Sequence, residues 1–170
     1  ARSGLGSSSS FTNGLLNAVY ALYGEKISKY DLAMQAIEVE QNRIGEIVGS
    51  QDQVTSAIGG LNQISFNQNG SINVNRVEIS SERMRLLESH FLLFFSGTTR
   101  DSQTITPQKI RDIKNKTQDL IDMGNLVAEG VKIITSDHQD VLDFGRLIHE
   151  SWLMKRSISS NISNGLIDDM

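Results

Sequence analysis

Apolar residues recur at helical spacing from Phe11 to Tyr23, where Leu15, Leu16, Val19, Leu22 and Tyr23 return to one side, and Gly24 supplies a stop. Ser28 opens a second helix with Asp31 three positions on, close to a capping box, and Leu32, Ala36, Ile37 and Val39 form its apolar stripe. From Ile44 to Gly60 the periodicity dissolves into a glycine-rich polar stretch that holds Gly45, Gly49, Gly59 and Gly60. Leu61 to Phe66 and Ser71 to Ile79 then alternate as two strands around Asn67-Gln68-Asn69-Gly70, a hairpin signal. Ser80 to Glu88 reads as a short helix, and the Phe/Leu run from His90 to Ser96 as a buried strand. Pro107 sits where a helix can begin, and most of the remainder to Met170 has helical period, with Val141, Phe144, Ile148 and Trp152 marking a buried stripe.

Helices, a hairpin, a helix, a strand and a helical tail make an α+β protein, since the regular strand–helix alternation of a parallel sheet is missing. A boundary near residue 80 divides the 170 residues into two parts. Sixteen basic against twenty acidic residues leave a net charge of −4, which supplies no basic face for a nucleic acid. The absence of cysteine excludes a disulfide scaffold, a zinc–thiolate site and a thiol nucleophile, and fits a reducing, cytoplasmic setting. No apolar run approaches membrane-spanning length, and the start does not read as a secretory signal. The chain opens without methionine, directly on a glycine–serine motif, and reads as a cut edge.

That motif, Gly4-Leu5-Gly6-Ser7-Ser8-Ser9-Ser10, stands immediately before a helix. Glycines let a backbone approach an anion closely, a helix start presents unpaired N–H groups, and serine hydroxyls add donors or ligate Mg²⁺. A flexible linker with a capping serine is the plainer alternative. The stretch is neither a Walker A motif nor a dinucleotide fingerprint, since Ser9 stands where the last glycine of the latter would fall. A second signal is Gly49-Ser50-Gln51-Asp52-Gln53, with Glu40 twelve residues before Asp52. Each carboxylate alone reads as a solvated turn or helix-end residue. Together, beside a phosphate cradle, they supply what Mg²⁺-assisted phosphoryl transfer needs: one to hold the metal and one to orient or deprotonate the attacking hydroxyl.

These residues resemble the GHMP kinases, the superfamily of galactokinase, homoserine kinase, mevalonate kinase and phosphomevalonate kinase. Gly4-Leu5-Gly6-Ser7-Ser8-Ser9 looks like the family's second signature, and Gly49-Ser50-Gln51-Asp52-Gln53 is similar to its Gly-x-Met-Asp-Gln loop, with Gln51 in place of methionine. Phe95-Ser96-Gly97-Thr98-Thr99-Arg100 and Asp143-Phe144-Gly145-Arg146-Leu147, with Glu150-Ser151-Trp152, resemble the branch that acts on heptose 7-phosphates. The resemblance implies an ATP- and Mg²⁺-dependent kinase that phosphorylates the anomeric hydroxyl of a sugar phosphate. It implies that Gly4, Leu5, Gly6, Ser7, Ser8 and Ser9 cradle the ATP phosphates, that Ser8 and Glu40 ligate Mg²⁺, and that Asp52 is catalytic. Gly49 and Gln51 would then line the sugar site, with Arg100 added as a grip on the sugar phosphate. An aspartate titrates near 3.9 in water, so orientation with late proton acceptance suits this role better than early deprotonation.

The fold that follows combines part of a nucleotide-binding domain, of the type seen in ribosomal protein S5 domain 2, over residues 1–80 with part of a ferredoxin-like domain carrying added helices over 81–170. The family's first and third signatures are absent from these residues, so the chain is expected to be an internal piece of a longer kinase, with cut edges prone to homo-oligomerise. Rival readings are another sugar or sugar phosphate as acceptor, a non-catalytic sugar and ATP sensor on the same fold, and a helical interaction module. Asp143-Phe144-Gly145 spells a protein-kinase tripeptide but lacks its companion motifs and is read as helix core. His90, His138 and His149 are too scattered for a metal cluster, and the basic run Lys109, Arg111, Lys114 and Lys116 is interrupted by Asp112 and reads as a solvated helix face.

Overall fold

A computed structural model describes residues 5–94, 116–158, 163 and 165–168. The described elements are α1 (Ser7–Leu22), α2 (Lys29–Ile37) continued by a π-helical segment (Glu38–Arg43), α3 (Gln51–Ile58), β1 (Asn62–Phe66), β2 (Ile72–Arg76), α4 (Ser81–Ser89), α5 (Thr117–Thr135), α6 (Val141–Ile158) and α7 (Gly165–Asp168). They fall into two compact units, one ending at Asn75 and one beginning at Arg76. The α+β class holds, with a single two-stranded sheet, β1–β2, among the described residues.

The first unit is organised by α2. Its N-cap Ser28 accepts a hydrogen bond from the Asp31 amide at 3.1 Å, satisfying one of the orphan donors of the first turn. Its inward face carries Leu32, Ala33, Ala36 and Ile37, which lie within a core completed by Val54 and Ala57 of α3 and Ile72 of β2. Leu16, Ile27, Met34, Ile58, Ile64 and Val74 pack around this cluster. The hairpin closes where the sequence predicts: Gly70 takes φ +81°, its amide donates to the Asn67 carbonyl, and the Asn67 amide donates to the Ser71 carbonyl. Lys29 adds a tether from α2 to the end of α3, its Nζ donating to the Ile58 carbonyl at 2.8 Å.

Helix α1 starts at Ser7, four residues before the periodic stretch, because its first turn is polar and carries no apolar phase to read. Ser9, Asn13, Leu16 and Tyr20 face the unit, whereas Phe11, Leu15, Val19 and Leu22 form an exposed apolar stripe on the other side. The inward face is the more polar of the two, because Ser9 and Asn13 are its buried members.

Two expectations are corrected. The stretch Ile44–Gly60 is not all loop, because Gln51–Ile58 forms helix α3. The Phe/Leu run is not a buried strand over its described part: residues 91–94 form no element, and Phe91, Leu92, Leu93 and Phe94 are 56–83% exposed. A strand needs a neighbour for its backbone ladder, and the described strands pair only with each other. Residues 95 and 96, and the helix start at Pro107, lie outside the described residues.

In the second unit α5 and α6 pack closely at Gly130, where a methyl group would lie 3.4 Å from the Phe144 ring. The expected stripe on α6 is covered only in part: Val141 is buried, Phe144 and Trp152 are half-buried, and Ile148 is exposed. Arg83 of α4 is buried, and its Nη2 and Nε donate to the carbonyls of Ile133 and Ile134 at 2.8 and 3.3 Å. Those carbonyls lie in the last turn of α5, where positive charge complements the helix dipole; the Ile133 carbonyl also accepts from the Ser136 amide at 3.4 Å. Replacing Arg83 by alanine removes both guanidinium bonds and leaves the Ile133 carbonyl only its long bond from the Ser136 amide. The expected cost is about 1.5–3 kcal/mol, the range for hydrogen bonds to charged groups, read by chemical denaturation. Hydrogen exchange should show protection lost in the last turns of α5 and retained in α2.

Candidate functional site

Every described candidate residue lies in the first unit, where α1, the π segment and α3 meet. The N-cap of α1 is Gly6, held at φ +65°, a left-handed conformation that glycine adopts without strain. No side chain caps this end. The first intrahelical bond runs from the Ser10 amide to the Gly6 carbonyl at 2.9 Å, so the amides of Ser7, Ser8 and Ser9 are the helix's open donors. This backbone can receive a phosphate.

Glu40 lies in the π segment and is 2% exposed. Its burial follows from phase: it is four residues beyond Ala36 and seven beyond Ala33, at the centre of the inward face of α2. A carboxylate thus occupies a position that the pattern reserves for an apolar side chain. Single π turns in helices occur often at functional sites, and here the widening is closed by the Ile44 amide on the Val39 carbonyl at 2.9 Å. The Glu40 backbone carbonyl accepts from the Glu46 amide, also at 2.9 Å. Its side-chain Oε2 accepts from Ser9 Oγ at 3.1 Å and from Gln53 Nε2 at 2.5 Å. Its Oε1 is buried and has no partner, and no described basic side chain forms an ion pair with it. A buried carboxylate without a counter-charge is costly.

Asp52 sits in the first turn of α3, on the exposed side, and its side chain rests against Gly6. A methyl group at Gly6 would come within 3.4 Å of the Asp52 Cγ. Glycine at position 6 therefore serves twice, for its dihedral and for the room it leaves to Asp52. The loop before α3 is pinned by Gln41, whose Nε2 donates to the Val48 carbonyl at 3.0 Å and to Ser50 Oγ at 3.1 Å. Gly49 and Gln51 are exposed beside Asp52 in the chain.

The structure thus brings Gly6, Ser9, Glu40 and Asp52 together. The hydroxyl beside Glu40 belongs to Ser9, whereas Ser8, the serine expected to share the metal with Glu40, is exposed with Ser7 and Leu5. Gly4 and Arg100 lie outside the described residues. Two members escaped the sequence reading. Asn13 is 4% exposed and its Nδ2 donates to the Gln53 carbonyl at 2.9 Å and to Ser56 Oγ at 2.7 Å; Gln53 is 1% exposed and holds Glu40. The available signal was phase: Asn13 is four residues from Ser9 on the side that also carries Leu16 and Tyr20.

Residues 1–60 match the family described as GHMP kinases N terminal domain. The glycine–serine helix start, Glu40 and Asp52 all fall inside that match. The front of this chain is similar to the N-terminal domain of the GHMP kinases. Over 107 residues the chain is 32% identical to D-glycero-alpha-D-manno-heptose 7-phosphate kinase of Campylobacter jejuni subsp. jejuni serotype O:2, a match covering 63% of this chain and 32% of that protein. Among solved structures it resembles a D-glycero-D-manno-heptose 1-phosphate kinase from Bacteriodes thetaiotaomicron, with TM-score 0.64, 28% identity and coverage of 92% of this chain and 45% of that one. A second crystal structure, from Campylobacter jejuni, gives TM-score 0.65 at 27% identity, over 99% of this chain and 47% of the other. The chain spans less than half the length of these relatives.

Gly6→Ala tests the double role of that glycine. The left-handed backbone costs an alanine about 1–2 kcal/mol, and the added methyl displaces Asp52. A lowered Tm together with weakened nucleotide binding is expected. A Tm and nucleotide affinity equal to those of the wild type would show that the helix start does not require glycine.

Proposed function

We propose that this chain carries the phosphate-binding and catalytic elements of an ATP-dependent sugar kinase that phosphorylates the anomeric hydroxyl of a heptose 7-phosphate, giving the 1,7-bisphosphate. The observation that carries this reading is the convergence of an uncapped glycine–serine helix start, a buried carboxylate with a free oxygen and an exposed aspartate packed against the same glycine. One relative named a heptose 7-phosphate kinase supports the choice of acceptor, and a solved structure named a heptose 1-phosphate kinase supports the choice of sugar. Residues 1–80 are assigned to the nucleotide-binding domain of such a kinase and 81–170 to part of its second domain. No described helix is long and apolar enough to cross a membrane, which suits a kinase working on a dissolved sugar phosphate in the cytoplasm.

The residues present fit a divalent cation. Among the described residues no three acidic or histidine side chains converge, so the protein offers no closed cage. Glu40 Oε1 and the Ser9 hydroxyl are the oxygen ligands at hand, a sparse set of the kind Mg²⁺ accepts when phosphates supply further ligands. When bound, Mg²⁺ supplies charge neutralisation at the β- and γ-phosphates. The open amides of Ser7, Ser8 and Ser9 hold phosphate oxygens, with the helix dipole favouring their charge. Asp52 accepts a hydrogen bond from the sugar hydroxyl and aims its oxygen at the γ-phosphorus. As the new P–O bond forms and the bond to the β,γ-bridging oxygen breaks, ADP leaves, and the hydroxyl proton passes to Asp52. A loose transition state asks mainly for this positioning. Gly49 and Gln51, exposed beside Asp52, are placed to meet the sugar, and Arg100 is retained as its phosphate grip.

Asp52→Asn keeps shape and a hydrogen-bonding group but cannot take the proton. Transfer followed by ³¹P NMR, on this chain and on the protein as its source encodes it, should fall by about 10²–10⁴, the usual worth of a general base, with ATP binding retained. Manno-heptose 7-phosphate should give a new anomeric phosphate signal. A signal only with another sugar would correct the acceptor, and binding of ATP and sugar without transfer would point to a sensor.

A further inference from the structure

We propose that Gln53, held in place by Asn13, is the positioning residue for Glu40 and fixes which carboxylate oxygen is offered to a divalent cation. This rests on the reading of Glu40 as a cation ligand. Glu40 Oε2 is occupied by two neutral donors, Ser9 Oγ and Gln53 Nε2, while Oε1 has no partner. A freely rotating carboxylate would exchange these oxygens, whereas the Gln53 amide pins one and leaves the other directed. Burial confines the Gln53 side chain, and Asn13 fixes the backbone that carries it. Gln53 is 1% exposed, its backbone carbonyl accepts from Asn13 Nδ2 at 2.9 Å, and the same amide nitrogen reaches Ser56 Oγ at 2.7 Å. Ser56 Oγ in turn donates to the Asp52 carbonyl at 2.7 Å.

A polar chain, buried at Asn13, Gln53 and Glu40 and exposed at Ser56, therefore runs from α1 through α3 to the π segment. An amide and a carboxylate in the core are costly unless fully hydrogen-bonded, and here Glu40 Oε1 and Gln53 Oε1 are both buried without a partner. Nothing in the packing demands Gln53 there, since Val54 and Ala57 of the same helix already supply its apolar contact. Partners that orient metal ligands are commonly worth 10–100-fold in metal affinity.

The test is Mn²⁺ binding, followed by electron paramagnetic resonance with a non-hydrolysable ATP analogue present, in the wild type, Gln53→Met, Asn13→Ala and Glu40→Gln. Gln53→Met keeps length and volume while removing the donor. It should weaken Mn²⁺ binding about 10–100-fold and leave analogue affinity in excess chelator unchanged. Its loss of kcat should be partly restored by raising Mg²⁺, a rescue that general loosening of the fold would not give. Asn13→Ala frees Gln53 without touching Glu40 and should give a smaller loss of the same kind. It also provides the reading if Gln53→Met does not fold. Wild-type Mn²⁺ affinity in either folded variant, with Glu40→Gln impaired, overturns the proposal and leaves the kinase reading standing. Unchanged affinity in Glu40→Gln as well would remove Glu40 as a cation ligand, and this proposal with it.

Discussion

A carboxylate placed where the core expects an apolar side chain is the constraint around which the first unit is arranged. Glu40 continues the inward stripe of α2, so the unit must either give it a counter-charge or bind one. The described residues give it none. They supply Ser9 from α1 and Gln53 from α3, two neutral donors on one oxygen, and leave the other without a partner. The geometry of three elements follows from this. Helix α1 must bring its first turn to Glu40, α3 must aim Gln53 inward, and the aspartate beside Gln53 is thereby turned outward against Gly6. The glycine–serine helix start, Glu40 and Asp52 come together as consequences of housing one charge.

Much of the scaffold was legible because it obeys simple periodicities. The Ser28 cap of α2, the hairpin at Asn67–Gly70 and the Ser80 start of α4 are local signals, each backed by a hydrogen bond. Helix α3 was illegible for a physical reason. Its short inward face is Gln53, Val54 and Ala57, and its flanks are glycine and serine, so it shows hardly any apolar phase. The Phe/Leu run misled in the opposite sense, since its composition asks for burial while its described part has no strand to pair with. The exposed stripe on α1 has the same character. Both stand in a chain that spans less than half the length of the structures it resembles.

The candidate site was readable in outline and not in detail. Its residue types and the spacing from Glu40 to Asp52 suggested a carboxylate pair near a phosphate loop, and the fold sets Ser9, Glu40, Asp52 and Gly6 around one point. Which serine faces Glu40 could not be read, because neighbouring helical residues point about 100° apart and the helix start had to be known to within a residue. Asn13 and Gln53 were hidden because amides carry no motif. They become visible only as buried polar groups that the core does not need.

The most direct test is a crystal structure with Mg²⁺ and a non-hydrolysable ATP analogue. The account predicts the β- and γ-phosphates at the amides of Ser7 to Ser9, with the cation about 2.0–2.1 Å from Glu40 Oε1 and bridged to those phosphates. Nucleotide bound elsewhere, or a cation that leaves Glu40 Oε1 without a ligand while the phosphates sit at α1, would contradict it.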